Sequence, residues 1–80
     1  DVNKDQELAE NLEAFDGNPE DVGSALAAAT IYRERGENDK AIEIYEQLLT
    51  LDASVFQAEQ YTGAEFKQLI QEELDATRTQ

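Results

Sequence analysis

The chemistry open to this 80-residue chain is carboxylate chemistry: 19 Asp and Glu stand against six Lys and Arg, with no His and no Cys. A catalytic pair of carboxylates needs a cleft that drives their pKa values apart, and nothing in the pattern of segments points to one. Ser24 and Ser54 have no histidine to serve as a base. Lys67 lies among acids that keep it charged, and Gly36 and Gly63 are isolated glycines with no phosphate loop around them. The nearest thing to a cluster is Glu7, Glu10 and Glu13, which fall on one helical face. Such a ridge could meet a cation or a basic peptide. It lacks the fixed loop of a calcium site, and its like charges repel along the helix, so it reads as a solvated face. No catalytic, cofactor-binding or metal residue is expected.

The net charge of −13 is unevenly spread. Residues 1–21 carry eight acids against Lys4, a balance of −7, and residues 22–53 and 54–80 carry −3 each. With no basic stripe to neutralise phosphates, nucleic-acid binding is not expected, and an anionic membrane surface is disfavoured on the same ground. A basic partner would be steered in, although solubility is the commoner reason for such a charge. No apolar run approaches membrane-spanning length. The chain begins at Asp1 and not Met, so it reads as a processed chain or an excised piece, and its compartment is not indicated.

The elements that would position any site are all helical. A first helix is predicted over 3–16, with Asn3 as its cap and Leu8, Leu12 and Phe15 as its apolar stripe beside Ala14. Gly17 ends it, Asn18 caps the next helix, and Pro19 takes that helix's first position. The second helix, over 19–35, carries Val22, Leu26, Ala28, Ala29, Ile31 and Tyr32 at helical spacing and stops at Gly36. Four alanines, at 25 and 27–29, keep it thin enough for a close neighbour. The third, over 38–51, restarts at Asn38 and Asp39 and carries Ala41, Ile42, Tyr45, Leu48 and Leu49. So short a connection folds the two back antiparallel.

After Asp52, residues 54–75 form one or two further helices. Ser54 with Gln57 can cap the first. Thr62 with Glu65 can form a capping box for the second, with Tyr61 stapling onto Phe66, which favours a break at 62–63. Phe66, Leu69, Ile70 and Leu74 form the last stripe, and the polar tail from Ala76 to Gln80 is expected to fray. The fold class is all-α, a single domain of antiparallel helical hairpins with four to five helices.

The stretch Ala25 to Asp52 resembles a tetratricopeptide repeat, a helix-turn-helix unit of about 34 residues. Ala25, Ala28-Ala29, Tyr32, Ala41, Tyr45 and Ala53 fall at the family's spacing, with identity at Tyr32 and Ala41 and aromatic character at Tyr45. Ala25 replaces the family's Trp, Ala28 its large residue, and Ala53 its final Pro. One repeat length upstream, Ala14-Phe15 and Pro19 sit where a degraded preceding repeat would end. Downstream, Gly63 and Phe66 fall where a following repeat would begin.

The resemblance implies a right-handed helical repeat whose first helices line a groove for an extended peptide or a helix. Carried over by register, the partner-binding residues are Gly23, Leu26, Thr30, Arg33 and Glu34. Chaperone-binding members clamp a terminal carboxylate with Lys, Asn and Arg at such positions, and Leu26, Thr30 and Glu34 are not those residues. Two functions follow as expectations. One is a non-enzymatic module binding a protein or peptide. The other is an assembly module whose flanking helices pack on a second copy or on neighbouring repeats. One complete repeat is fewer than the three or so that make a self-sufficient stack, so the last helix is expected to fold back and close the core.

Overall fold

The computed structural model describes residues 2–56 and 62–79, whose regular secondary structure is all helical, with no strand. Four α-helices run over Val2–Gly17 (α1), Val22–Glu34 (α2), Asn38–Leu49 (α3) and Gly63–Arg78 (α4), with a 3-10 turn over Ala53–Phe56 between the last two. Each helix packs chiefly on its chain neighbours: α1 on α2, α2 on α3, α3 on α4, and the 3-10 turn on α4.

The helix junctions follow from local chemistry, and two differ from expectation. α1 already begins at Val2, so Asn3 lies inside it and is not its cap. α2 begins at Val22, three residues later than Asn18 and Pro19 suggest. The Asp21 N–H donates to the Asn18 carbonyl at 2.9 Å, and the Glu20 N–H donates to Asn18 Oδ1 at 3.1 Å. This closes a turn with Pro19 at its second position, where the fixed φ of proline fits equally well. Asp21 is then the cap, accepting from the Ser24 N–H at 3.2 Å and from the Ser24 hydroxyl at 2.9 Å.

At the other end of α2, Gly36 takes φ of +79°. The Gly36 N–H donates to the Arg33 carbonyl at 3.0 Å and the Glu37 N–H to the Tyr32 carbonyl at 2.8 Å. These two bonds are the Schellman pair, which satisfies carbonyls the helix leaves open. The connection to α3 is therefore a tight reversal. Glu37 and not Asn38 stands at the N-cap of α3 and makes no side-chain cap bond.

The core is one cluster drawn from every element: Leu8 and Phe15, then Ala25, Ala28, Ala29 and Ile31, then Ala41, Ile44, Tyr45 and Leu48, then Phe56, Ile70 and Leu74. The three α2 alanines are fully buried, which lets α2 approach its neighbours closely. Ile44 joins Ala41, Tyr45 and Leu48 because α3 packs against two helices, α2 and α4, and needs a wider apolar arc than one stripe. Ala14, by contrast, is exposed.

After α3, the Ser54 N–H donates to Asp52 Oδ1 at 2.9 Å, so Asp52 and not Ser54 caps the 3-10 turn. The expected partners Gln57 and Tyr61 lie outside the described residues. Thr62 is the N-cap of α4, with both halves of the capping box formed to Glu65. Gly63 follows at a point of backbone contact: a Cβ there would meet the Ala53 carbonyl oxygen at 1.8 Å. Phe66 stacks on Phe56 with ring centroids 5.5 Å apart.

α4 closes the core over α3 and stays helical to Arg78. The expected fraying of the tail is corrected by Thr77, which is 1% exposed and donates its hydroxyl to the Glu73 carbonyl at 2.7 Å. Leu69, expected in the stripe, is 43% exposed. The buried arc of α4 is instead Gly63, Ile70, Leu74 and Thr77, with Phe66 half-buried against the cluster.

Candidate functional site

The five residues expected to meet a partner lie along α2, three and four positions apart, and their environments differ. Gly23 is exposed near the start of the helix, and Leu26 is half-buried against the core cluster. Thr30 is exposed, but its hydroxyl donates to the Leu26 carbonyl at 2.9 Å. That back-bond satisfies the hydroxyl within its own helix.

Arg33 is committed elsewhere. Its Nη1 lies 2.5 Å from Glu73 Oε2 of α4, a bond across 40 residues of chain. The Tyr45 hydroxyl first, and the Glu73 carboxylate second, hold the guanidinium still more firmly charged than an ordinary arginine. Glu34 turns the other way and lies 3.8 Å from Lys4 Nζ of α1. Arg35, beside it, pairs with Asp5. The structure therefore brings Gly23, Leu26 and Thr30 together as an open strip, and it splits Arg33 and Glu34 between α4 and α1.

The Arg33 bridge also identifies a residue the sequence did not single out, Glu73. Glu73 fixes which flank of α4 is turned toward α2. Leu69, one turn before Glu73, shares that flank. Around it lies a shallow depression of about 240 Å³ lined by Glu65, Gln68, Leu69 and Glu72. The strip on α2 offers Leu26, the flank of α4 offers Leu69 beside Glu65 and Glu72, and the Arg33–Glu73 bond links the two helices. The spacing of Leu69 and Glu73 was readable, but nothing local marks a pair 40 residues apart.

Two lysine and aspartate contacts brace the frame around this face. Lys67 Nζ donates to the Leu51 carbonyl at 2.7 Å and ties the start of α4 to the end of α3. The Asp52 carboxylate accepts from the Ser54 N–H, and that bond holds its pKa below the usual carboxylate range, with Lys67 a smaller contributor. Among the described residues, no three acids converge as a metal set, and no helix is long and apolar enough to cross a membrane. No family profile matches the chain, and no curated protein or solved structure is significantly similar to it.

Proposed function

We propose that this chain is a non-enzymatic interaction module, built as a tetratricopeptide-like helical repeat, that holds a protein or peptide segment along the face shared by α2 and α4. The observation that carries this reading is the Arg33–Glu73 bridge, which joins two helices that each pack on α3. It supports the register that places Gly23, Leu26 and Thr30 on a partner-facing side. The same bridge occupies the one cation among the five expected residues, so an acidic partner group finds no free positive charge there. Glu65 and Glu72 around Leu69 suit a basic segment with an apolar residue.

Leu26→Glu tests the reading. It removes the apolar contact at this half-buried position without touching the fully buried alanines. Capture of protein partners by this variant should fall well below that of the unsubstituted chain while circular dichroism and melting stay close. Equal capture would overturn the proposal.

The assembly reading is favoured by one observation, the exposure of Leu69, a large apolar side chain 43% open to solvent. Sedimentation equilibrium at low and physiological salt separates the two. A concentration-dependent dimer lost on Leu69→Lys would move the assignment to assembly, and a monomer throughout would leave it with the binding module.

A further inference from the structure

A second trough shares no residue with the α2/α4 face. It runs between α1 and α3 across the end of α2, has a volume of about 280 Å³, and is lined by Leu12, Phe15 and Asp16, by Tyr32, and by Lys40, Glu43, Ile44 and Gln47. Its floor is apolar: Phe15 and Ile44 are 7% and 6% exposed, and Leu12 and Tyr32 are half-buried beside them. Its rim carries the carboxylates of Asp16 and Glu43. The one cation, Lys40, is already engaged twice, with its Nζ 5.5 Å from the centroid of the Tyr32 ring and 3.3 Å from Glu37 Oε1.

We propose that this trough seats one large apolar side chain of a protein segment that carries lysine or arginine beside it. An apolar floor within a charged rim is the form of a single-anchor docking site, where one buried side chain supplies most of the affinity. The charge decides the occupant. Asp16 and Glu43 face the flanking residues of the guest, and the adjoining residues 1–21 add a net −7 to the field. An acidic segment is repelled, and a second copy of this chain would bring another −13 to the same place.

The test is a two-dimensional amide NMR titration of the full chain with a short lysine–leucine peptide, and with its glutamate–leucine counterpart, at physiological ionic strength. Saturable shifts at the amides of Leu12, Phe15, Tyr32 and Ile44, with none from the glutamate peptide, are expected. Glu43→Lys and Leu12→Gln should each weaken binding about tenfold. If Leu12→Gln disturbs the fold, Glu43→Lys, at an exposed position, decides alone. Shifts spread over the acidic surface and lost at moderate salt would mean charge attraction only and would overturn the proposal. Shifts confined to α2 and α4 would overturn it too, while supporting the other face. Wild-type affinity in Glu43→Lys would do the same.

Discussion

Gly63→Ala should be the most informative single change in this chain. A Cβ at Gly63 would lie 1.8 Å from the Ala53 carbonyl oxygen, 2.5 Å from its carbonyl carbon and 3.0 Å from its Cβ. Carbon–oxygen contacts settle near 3.3 Å, so the gap must widen by about 1.5 Å. The obstructing atoms are backbone and cannot swing aside as the end of a side chain would. Either α4 or the 3-10 turn must therefore move, and both the Phe56–Phe66 stack and the Lys67–Leu51 bond lie across that joint.

Overpacking of a tight site costs roughly 1–3 kcal/mol. Alanine returns at most about 1 kcal/mol over glycine in a helix, and less at its first residue. The net loss should be about 2 kcal/mol, a large share of the stability of a domain this small. In a thermal melt followed by circular dichroism, that is a Tm lowered by roughly 10 °C. Gly17→Ala is the matched control, since a Cβ there meets nothing within 4 Å; its Tm should hold or rise. A Gly63→Ala chain melting within about 2 °C of the parent would refute the argument from contact.

Three further outcomes follow from the joints. Gly36→Ala forces a side chain into φ of +79° at the Schellman cap and should lose about 1–2 kcal/mol in a urea melt, with the slope unchanged. Asn38→Ala removes a side-chain oxygen that is buried without a hydrogen-bond partner, and it should gain about 1 kcal/mol in the same assay. The Asp52 carboxyl, titrated by carbon NMR, should lose its proton below the ordinary range. Because its folded pKa is depressed, its contribution is present above the unfolded value and fades as pH falls through the folded one. Asp52→Ala should therefore narrow the stability gap between neutral and strongly acid pH, and a titration at the ordinary position would contradict this.

The helical class was legible because two signals agreed at several places. Gly36 ended α2 and reversed the chain, and Thr62 with Glu65 announced the start of α4 by local bonding alone. The start of α2 was not legible. Asn18-Pro19 can form a cap with its first residue or a turn, and only the bond from Ser24 to Asp21 decides between them. Ile44 and Leu69 went astray for a shared reason. The width of a helix's apolar arc depends on how many neighbours it meets, and that number is tertiary. α3 meets two helices and buries Ile44. The arc of α4 excludes Leu69 because α4 packs chiefly on α3 and the 3-10 turn and meets α2 through the Glu73 side chain.

Thr77 misled because it is polar, yet a hydroxyl that returns its proton to its own helix can be buried safely. At the candidate face, helical register placed Gly23, Leu26 and Thr30 in a row. The fates of Arg33 and Glu34 depended on Glu73 and Lys4, which local spacing does not connect to them.

The neighbour-by-neighbour packing of the helices also governs how the chain forms and comes apart. A row whose contacts join adjacent elements has low contact order, so folding should take microseconds to milliseconds without a long search for distant partners. The row should open from its ends. α1 is held by Leu8 and Phe15, with Leu12 beside them, whereas α2 and α3 are each clasped on two sides. Amide hydrogens of α1 should therefore exchange with solvent well before those of the α2–α3 hairpin, because they are released by partial opening. A guest seated between α1 and α3 would bridge that weakest seam and slow its exchange without any change in the static structure.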